Sequence, residues 1–247
     1  MLASLLLAPL GMLAPRALRR LDAVRDALHG RPWVFVDGNN VRGAAGWRLG
    51  AAELTEAIDS WADESGLRDR VVTVWDSARA SGPSARLLPR GSAVAFSGGR
   101  QLADDVLVQA VGLVGSQDDD VVLFSSDNAL RGRCYAQLEM RRQEPRGAAL
   151  KSLHSLYLAW LLQAQDPARW AEASPVTGGR AAHGARRGEA DALADALATA
   201  GEAGVEEDGR SRPQDLRALV RWLDAPTGLS VERRSRKGNV LYRYGDE

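Results

Sequence analysis

The chain has 247 residues, 45% of them hydrophobic and 26% charged, which is too apolar for a disordered protein and long enough for one full domain with additions. A single cysteine excludes a disulfide framework and any cysteine-based zinc site, and points to a reducing compartment. Basic and acidic residues balance at 32 each, which excludes a uniformly basic nucleic-acid coat and leaves room for a local basic patch.

Residues 1–15 are apolar and acid-free, and Arg16, Arg19 and Arg20 precede the first carboxylate, Asp22. In a secretory signal the positive charge comes before the apolar stretch, and Pro9 and Pro15 interrupt a run too short for a bilayer. For a eukaryotic source the segment fits a chloroplast or mitochondrial transit peptide, although Ser4 is its one serine. The leader helix of a cytoplasmic protein fits it about as well. Residues 1–30 are therefore read as a leader followed by a helix over 16–29 that stops at Gly30.

Trp33-Val-Phe-Val36 reads as a buried strand entering the polar turn Asp37-Gly-Asn-Asn40. A helix is expected over 51–66, with Leu54, Ile58 and Trp61 on one face, then a second strand at 71–75 ending at Asp76. A third strand at 93–96 closes on Gly98 and Gly99. A helix over 102–114 follows, carrying Asp104 and Asp105 in its first turn. A fourth strand at 121–124 ends in Ser125-Ser126-Asp127, and helices are expected over 129–140 and 148–165. Strands alternating with helices, each strand almost continuously apolar, predict a three-layer α/β fold with a mainly parallel central sheet over residues 31–165. Residues 166–212 read as a linker with a helix near 189–200. Residues 213–247 read as a helix followed by a β-hairpin around Lys237-Gly-Asn239.

Asp37, Asp76 and Asp127 each follow a predicted parallel strand, at the sheet edge where open α/β sheets bind ligands. The pair Asp104-Asp105 opens the helix that follows the third strand and reaches the same edge. Crowded carboxylates repel and raise one another's pKa. A hard divalent cation such as Mg²⁺ or Mn²⁺ removes that penalty and can orient a phosphodiester for hydrolysis. Taken singly, each aspartate is more commonly a turn or helix cap; four such positions at one edge reverse that balance. Asp118-Asp-Asp120 lies at the opposite end of its strand and reads as a solvated loop.

Val36-Asp-Gly-Asn-Asn40, Ala103-Asp-Asp105 and Ser125-Ser-Asp127, in this order and spacing, resemble the YacP-like branch of the NYN domains, which are PIN-like metal-dependent nucleases. The second strand and its acid, Val72 to Asp76, approximate the family's fourth motif. The resemblance covers about residues 31–165. It implies a PIN-like fold and Mg²⁺- or Mn²⁺-dependent endonucleolytic cleavage of single-stranded RNA, and it carries an association with ribosome-linked mRNA cleavage. By this resemblance Asp37, Asp104 and Asp127 match the principal metal-binding and catalytic acids. Asp105 and Asp76 match the neighbouring acids, and Asn40 matches a phosphate or supporting contact. Asn39 departs from the family, which often has an aromatic residue there.

Other chemistry is thin. Three dispersed histidines (His29, His154, His183) make no metal motif, and neither a P-loop nor a dinucleotide fingerprint is present. Ser81, Ser125 and Ser126 have no histidine partner nearby in sequence, and Cys134 reads as a core residue. Trp47 is a candidate base-stacking residue, although packing is the commoner use of a tryptophan. Arg233, Arg234, Arg236 and Lys237, with Tyr242 and Tyr244, form a basic aromatic ribbon able to grip RNA phosphates, or a solvated charged edge. The leading expectation is a metal-dependent ribonuclease with no integral membrane association. The alternative is a non-catalytic RNA- or ribosome-binding module. An aspartyl-phosphate phosphatase would need a second aspartate where Asn39 stands.

Overall fold

The structure, a computed structural model, describes residues 15–77, 83–99, 101–115, 119–141, 149–172, 182–199, 215–224, 231–234 and 240–242. Four apolar runs form strands in which every residue is buried: β1 (Trp33–Asp37), β2 (Val71–Trp75), β4 (Ala93–Phe96) and β5 (Val121–Phe124). Two edge strands, β3 (Ser84–Leu87) and β6 (Leu150–Leu153), complete a six-stranded sheet of order β3-β4-β2-β1-β5-β6. Only β3 runs antiparallel, against β4.

Helices cover both faces, as the continuously apolar strands require. On one side lie α1 (Pro15–Leu28), α2 (Gly38–Ala44), α3 (Ala51–Glu64), α6 (Ser155–Gln165), α7 (Pro167–Glu172) and α8 (Ala182–Thr199). They enclose a core that includes Val34, Val36, Ile58, Trp75 and Phe124. On the other side α4 (Ala103–Gly115), α5 (Asn128–Arg141) and α9 (Leu216–Asp224) pack over Phe35, Val72, Leu107, Leu130 and Leu219. The expected three-layer α/β fold is the one found. Among the described residues no helix is long and apolar enough to cross a membrane.

Three local expectations are corrected. Residues 148–165 are not one helix: β6 pairs in parallel with β5, from Val121↔Leu150 to Phe124↔Leu153, before α6 begins behind His154. Leu150 and Leu153 suit one helical face as well as an edge strand, and tertiary pairing decides between them. The strand β3 gave no apolar run because, at a half-exposed edge, it needs few apolar side chains. The turn after Asp37 is helix α2, which Asp37 caps by accepting from the Asn40 N–H at 3.0 Å.

Within the stretch 166–212, α8 is tied to the domain. Its Glu189 Oε2 accepts from Arg42 Nη2 at 2.5 Å, and its Asp191 Oδ1 accepts from Ser77 Oγ at 2.6 Å. Helix α9 packs against β3, β4 and α4. The hairpin strands β7 (Val231–Arg234) and β8 (Val240–Tyr242) pair antiparallel. Residues 1–14, Arg236, Lys237 and the side chains of Arg233 and Arg234 lie outside what is described.

One close approach fixes α2 on the sheet. A Cβ at Gly38 would stand 2.7 Å from the Trp75 ring, which is fully buried and donates from Nε1 to Thr55 Oγ1 at 3.0 Å. Gly38→Ala is therefore expected to destabilise the protein by roughly 1–3 kcal/mol through overpacking. The measurement is a lower urea midpoint at unchanged m-value; an unmoved midpoint would mean that the indole yields.

Candidate functional site

Strand order places the site. From β1 the chain winds outward through β2 to β4 and β3, then returns to lay β5 on the other flank of β1. The boundary between β1 and β5 is the switch point of the sheet, where a crevice opens beyond the carboxyl ends of the strands. Asp37 ends β1, Asp76 follows β2, and Ser125, Ser126 and Asp127 follow β5. Helix α4 crosses β1, β2 and β5 and carries Asp104 and Asp105 in its first turn. All five sequence-chosen acids therefore belong to this one edge.

A polar network spans the switch point. Asp37, only 2% exposed, accepts through Oδ2 from Ser125 Oγ at 2.9 Å and from Asn40 Nδ2 at 2.5 Å. The Asn40 carbonyl in turn accepts from Ser126 Oγ at 2.7 Å, which fixes the amide with nitrogen toward the acid and oxygen toward the serine. Asp76 accepts from Asn39 Nδ2 at 3.0 Å and from the Ala103 N–H, at the start of α4, at 2.7 Å. Asp127 caps α5, accepting from the N–H groups of Ala129 and Leu130 at 2.7 and 3.1 Å. Asp105 pairs with Arg133 Nη2 at 2.5 Å, while Asp104 lies 3.8 Å from Arg133 Nη1.

Burial and mutual repulsion shape these acids. Burial pushes the Asp37 carboxyl above its ordinary value of 3.8, against the pull of its hydrogen bonds to Asn40 and Ser125; the charge of Asp76 adds to the rise. Asp104 is pushed up to about 6, first by burial, then by the charges of Asp37 and Asp127; Arg133 opposes the rise, and Asp76 adds a smaller push upward. The helix N-termini of α4 and α5 offset part of this repulsion. Cys134 is inert, its buried thiol raised to about 12.

The donor chemistry, oxygen only and like-charged, fits a hard divalent cation. In the rotamers present the fit is incomplete. Among the described residues no three His, Cys, Asp or Glu side chains close on one point. The cause is visible: Asp76 and Asp127 are turned onto backbone N–H groups, and Asp105 onto Arg133. Sequence reasoning missed the parts played by Asn39, Ser125, Ser126 and Arg133. The paired serines at a strand end beside β1 were the available signal for two of them; Arg133 sits mid-helix and gave none. Asp119, expected in a solvated loop, accepts instead from Trp33 Nε1 at 3.0 Å and Arg70 Nη1 at 3.2 Å at the far edge.

No protein-family model, curated protein or solved structure matches the chain.

A carboxyl with a raised folded-state pKa holds its proton more tightly folded than unfolded. The ionised Asp104 therefore costs stability, and the cost grows as pH rises from its unfolded 3.8 through about 6. Asp104→Asn is expected to stabilise the metal-free protein by about 1–2 kcal/mol near neutral pH, after discounting for partial exposure, and by almost nothing near pH ~4. Urea melts across that range in chelator check this; equal gains at both ends would refute the repulsion.

Proposed function

We propose that the chain is a metal-dependent endoribonuclease acting on single-stranded RNA, with Asp37, Asp104 and Asp127 holding Mg²⁺ or Mn²⁺ and Asp76 and Asp105 beside them. One observation carries the reading: the ends of β1, β2 and β5 and the first turn of α4 bring Asp37, Asp76, Asp127 and Asp104 to one edge of the sheet, where the charges of the other three push the Asp104 carboxyl upward. A fold that needed only caps has no reason to gather mutually repelling acids there. The motif resemblance to YacP-like NYN domains supports the same reading and extends it to ribosome-associated mRNA.

A bound divalent cation would polarise the phosphate and lower the pKa of an attacking water. The chain's own groups do the positioning. Asn40, Ser125 and Ser126 hold Asp37 in place, and the positive end of the α5 dipole, capped by Asp127, lies at the same edge. Arg133, opposite Asp104 and Asp105, is a further cation for the scissile group. Arg233, Arg234, Arg236 and Lys237 are proposed to grip flanking phosphates on the strength of sequence alone.

A second reading, a non-catalytic RNA-binding module, is favoured by the capping roles of Asp76 and Asp127 and by the Arg133 ion pairs. Cleavage of a panel of single-stranded and structured RNAs with Mg²⁺, Mn²⁺ or chelator separates the two. Asp127→Asn is expected to lower single-turnover cleavage about 100-fold or more while RNA affinity holds or rises. Undiminished cleavage in that variant sinks the catalytic assignment. Tight RNA binding without any metal-dependent cleavage by the wild type establishes the module instead.

A further inference from the structure

Next to the acids lies a cleft of about 320 Å³ whose lining includes Asn39, Asn40, Gly43, Trp47, Ser126 and His154. We propose that it is a nucleobase pocket, in which Trp47 stacks on one unpaired base and Asn39 and His154 meet that base's polar edge. The proposal rests on the nuclease reading above and names the part of the substrate that would dock beside the scissile phosphate.

The placement of Trp47 comes first. Helix α2 ends in a Schellman arrangement: Gly46 N–H bonds to Gly43 O, and Trp47 N–H to Arg42 O, both at 3.0 Å. Such an ending explains why Trp47 touches Arg42, whose guanidinium lies 5.3 Å from the ring centroid. It does not explain why Trp47 itself has φ +59°, a left-handed conformation that costs a bulky residue roughly 1–3 kcal/mol. Arg42 is buried and anchored to Leu49 O at 2.8 Å and to Glu189, so the indole is held before any ligand arrives. A Cβ at residue 43 would meet the indole at 3.3 Å, so glycine lets the ring lie close to the helix.

The polar groups fit a base edge. His154, an exposed residue, accepts at Nδ1 from the Leu156 N–H at 3.2 Å, which assigns the proton of the neutral ring to Nε2 and makes that atom a donor. Asn39 spends its amide nitrogen on Asp76, and its carbonyl oxygen is engaged by no described residue. Each unpaired nucleobase presents an edge with both a donor and an acceptor. The volume, near the small end of ligand clefts at roughly 300–1,000 Å³, suits one nucleoside-sized group. Asn40 and Ser126 form the shared wall: their side chains line the cleft and at the same time hold Asp37.

The test uses the full chain in chelator, with a short fluorescein-labelled single-stranded RNA of mixed sequence. A second set of the same RNA carries one abasic ribose at successive positions. Anisotropy titrations should show one position where base removal weakens wild-type binding about tenfold or more. Trp47→Leu should lose a similar factor on the intact RNA and become insensitive to that position, and Trp47→Phe should recover most of the loss. If Trp47→Leu fails to fold, His154→Ser keeps a cap acceptor but removes the Nε2 donor; it should weaken intact RNA about three- to tenfold and leave the abasic RNA unaffected. A flat abasic series, wild-type affinity in Trp47→Leu, or no RNA binding by the wild type overturns the pocket. The metal reading stands on a separate readout: Mn²⁺ should raise the melting temperature of the wild type and not that of Asp104→Asn, and equal protection in both overturns it without touching the base pocket.

Discussion

A carboxylate that is 2% exposed at the end of a doubly paired strand is the constraint around which this edge of the sheet is arranged. Asp37 cannot shed its charge into water, so donors come to it from both flanks: the Asn40 backbone and amide from α2, and Ser125 from β5. Those donors would make a satisfied structural acid if it stood alone. It does not stand alone, because parallel strands deliver their ends to the same side, and β2, β5 and α4 each bring another aspartate. The compensation is spread thin, over two helix N-termini and one arginine. Asp104 keeps the residue of the conflict, since burial and three like charges outweigh the opposing Arg133.

Asp59 shows what a purely structural acid looks like in the same fold. It is 3% exposed and accepts from Ser92 Oγ and from the N–H groups of Arg90 and Ser92, at 2.6, 3.0 and 3.1 Å. These donors all come from one turn, which Asp59 pins to α3 ahead of β4. Burial and hydrogen bonding are alike in the two acids. What differs is the company each keeps, and that follows from topology.

This is also why the shared edge of these aspartates was legible in the sequence. Asp37, Asp76 and Asp127 announce themselves by standing after apolar runs, and parallel winding does the rest. Sheet edges and side-chain choices were not legible. The strand β3 carries half-buried polar residues and an exposed leucine, and its outer side is held by Asp224, a distant residue that accepts from the Ala85 N–H and Arg86. Leu150–Leu153 could serve a helix or an edge strand, and only the open flank of β5 decides. Nor could spacing reveal that Asp76 and Asp127 would turn onto backbone N–H groups. Each turns toward the nearest partial positive charge, the backbone N–H groups at the start of α4 and of α5.

Asn39 brings these strands together. The asparagine donates to Asp76, whose other oxygen accepts from the Ala103 N–H at the start of α4. An aromatic ring at residue 39 would remove this donor. The aromatic surface of the cleft is supplied from the other end of α2, by Trp47, at the cost of a left-handed backbone and a buried arginine to seat it. That arginine is neutralised by Glu189 of α8, from a stretch whose composition reads as linker. On the proposed function, the polar end of α2 serves the acids and its far end serves the base, so α8 bears on substrate binding through the Glu189–Arg42 pair that seats Trp47.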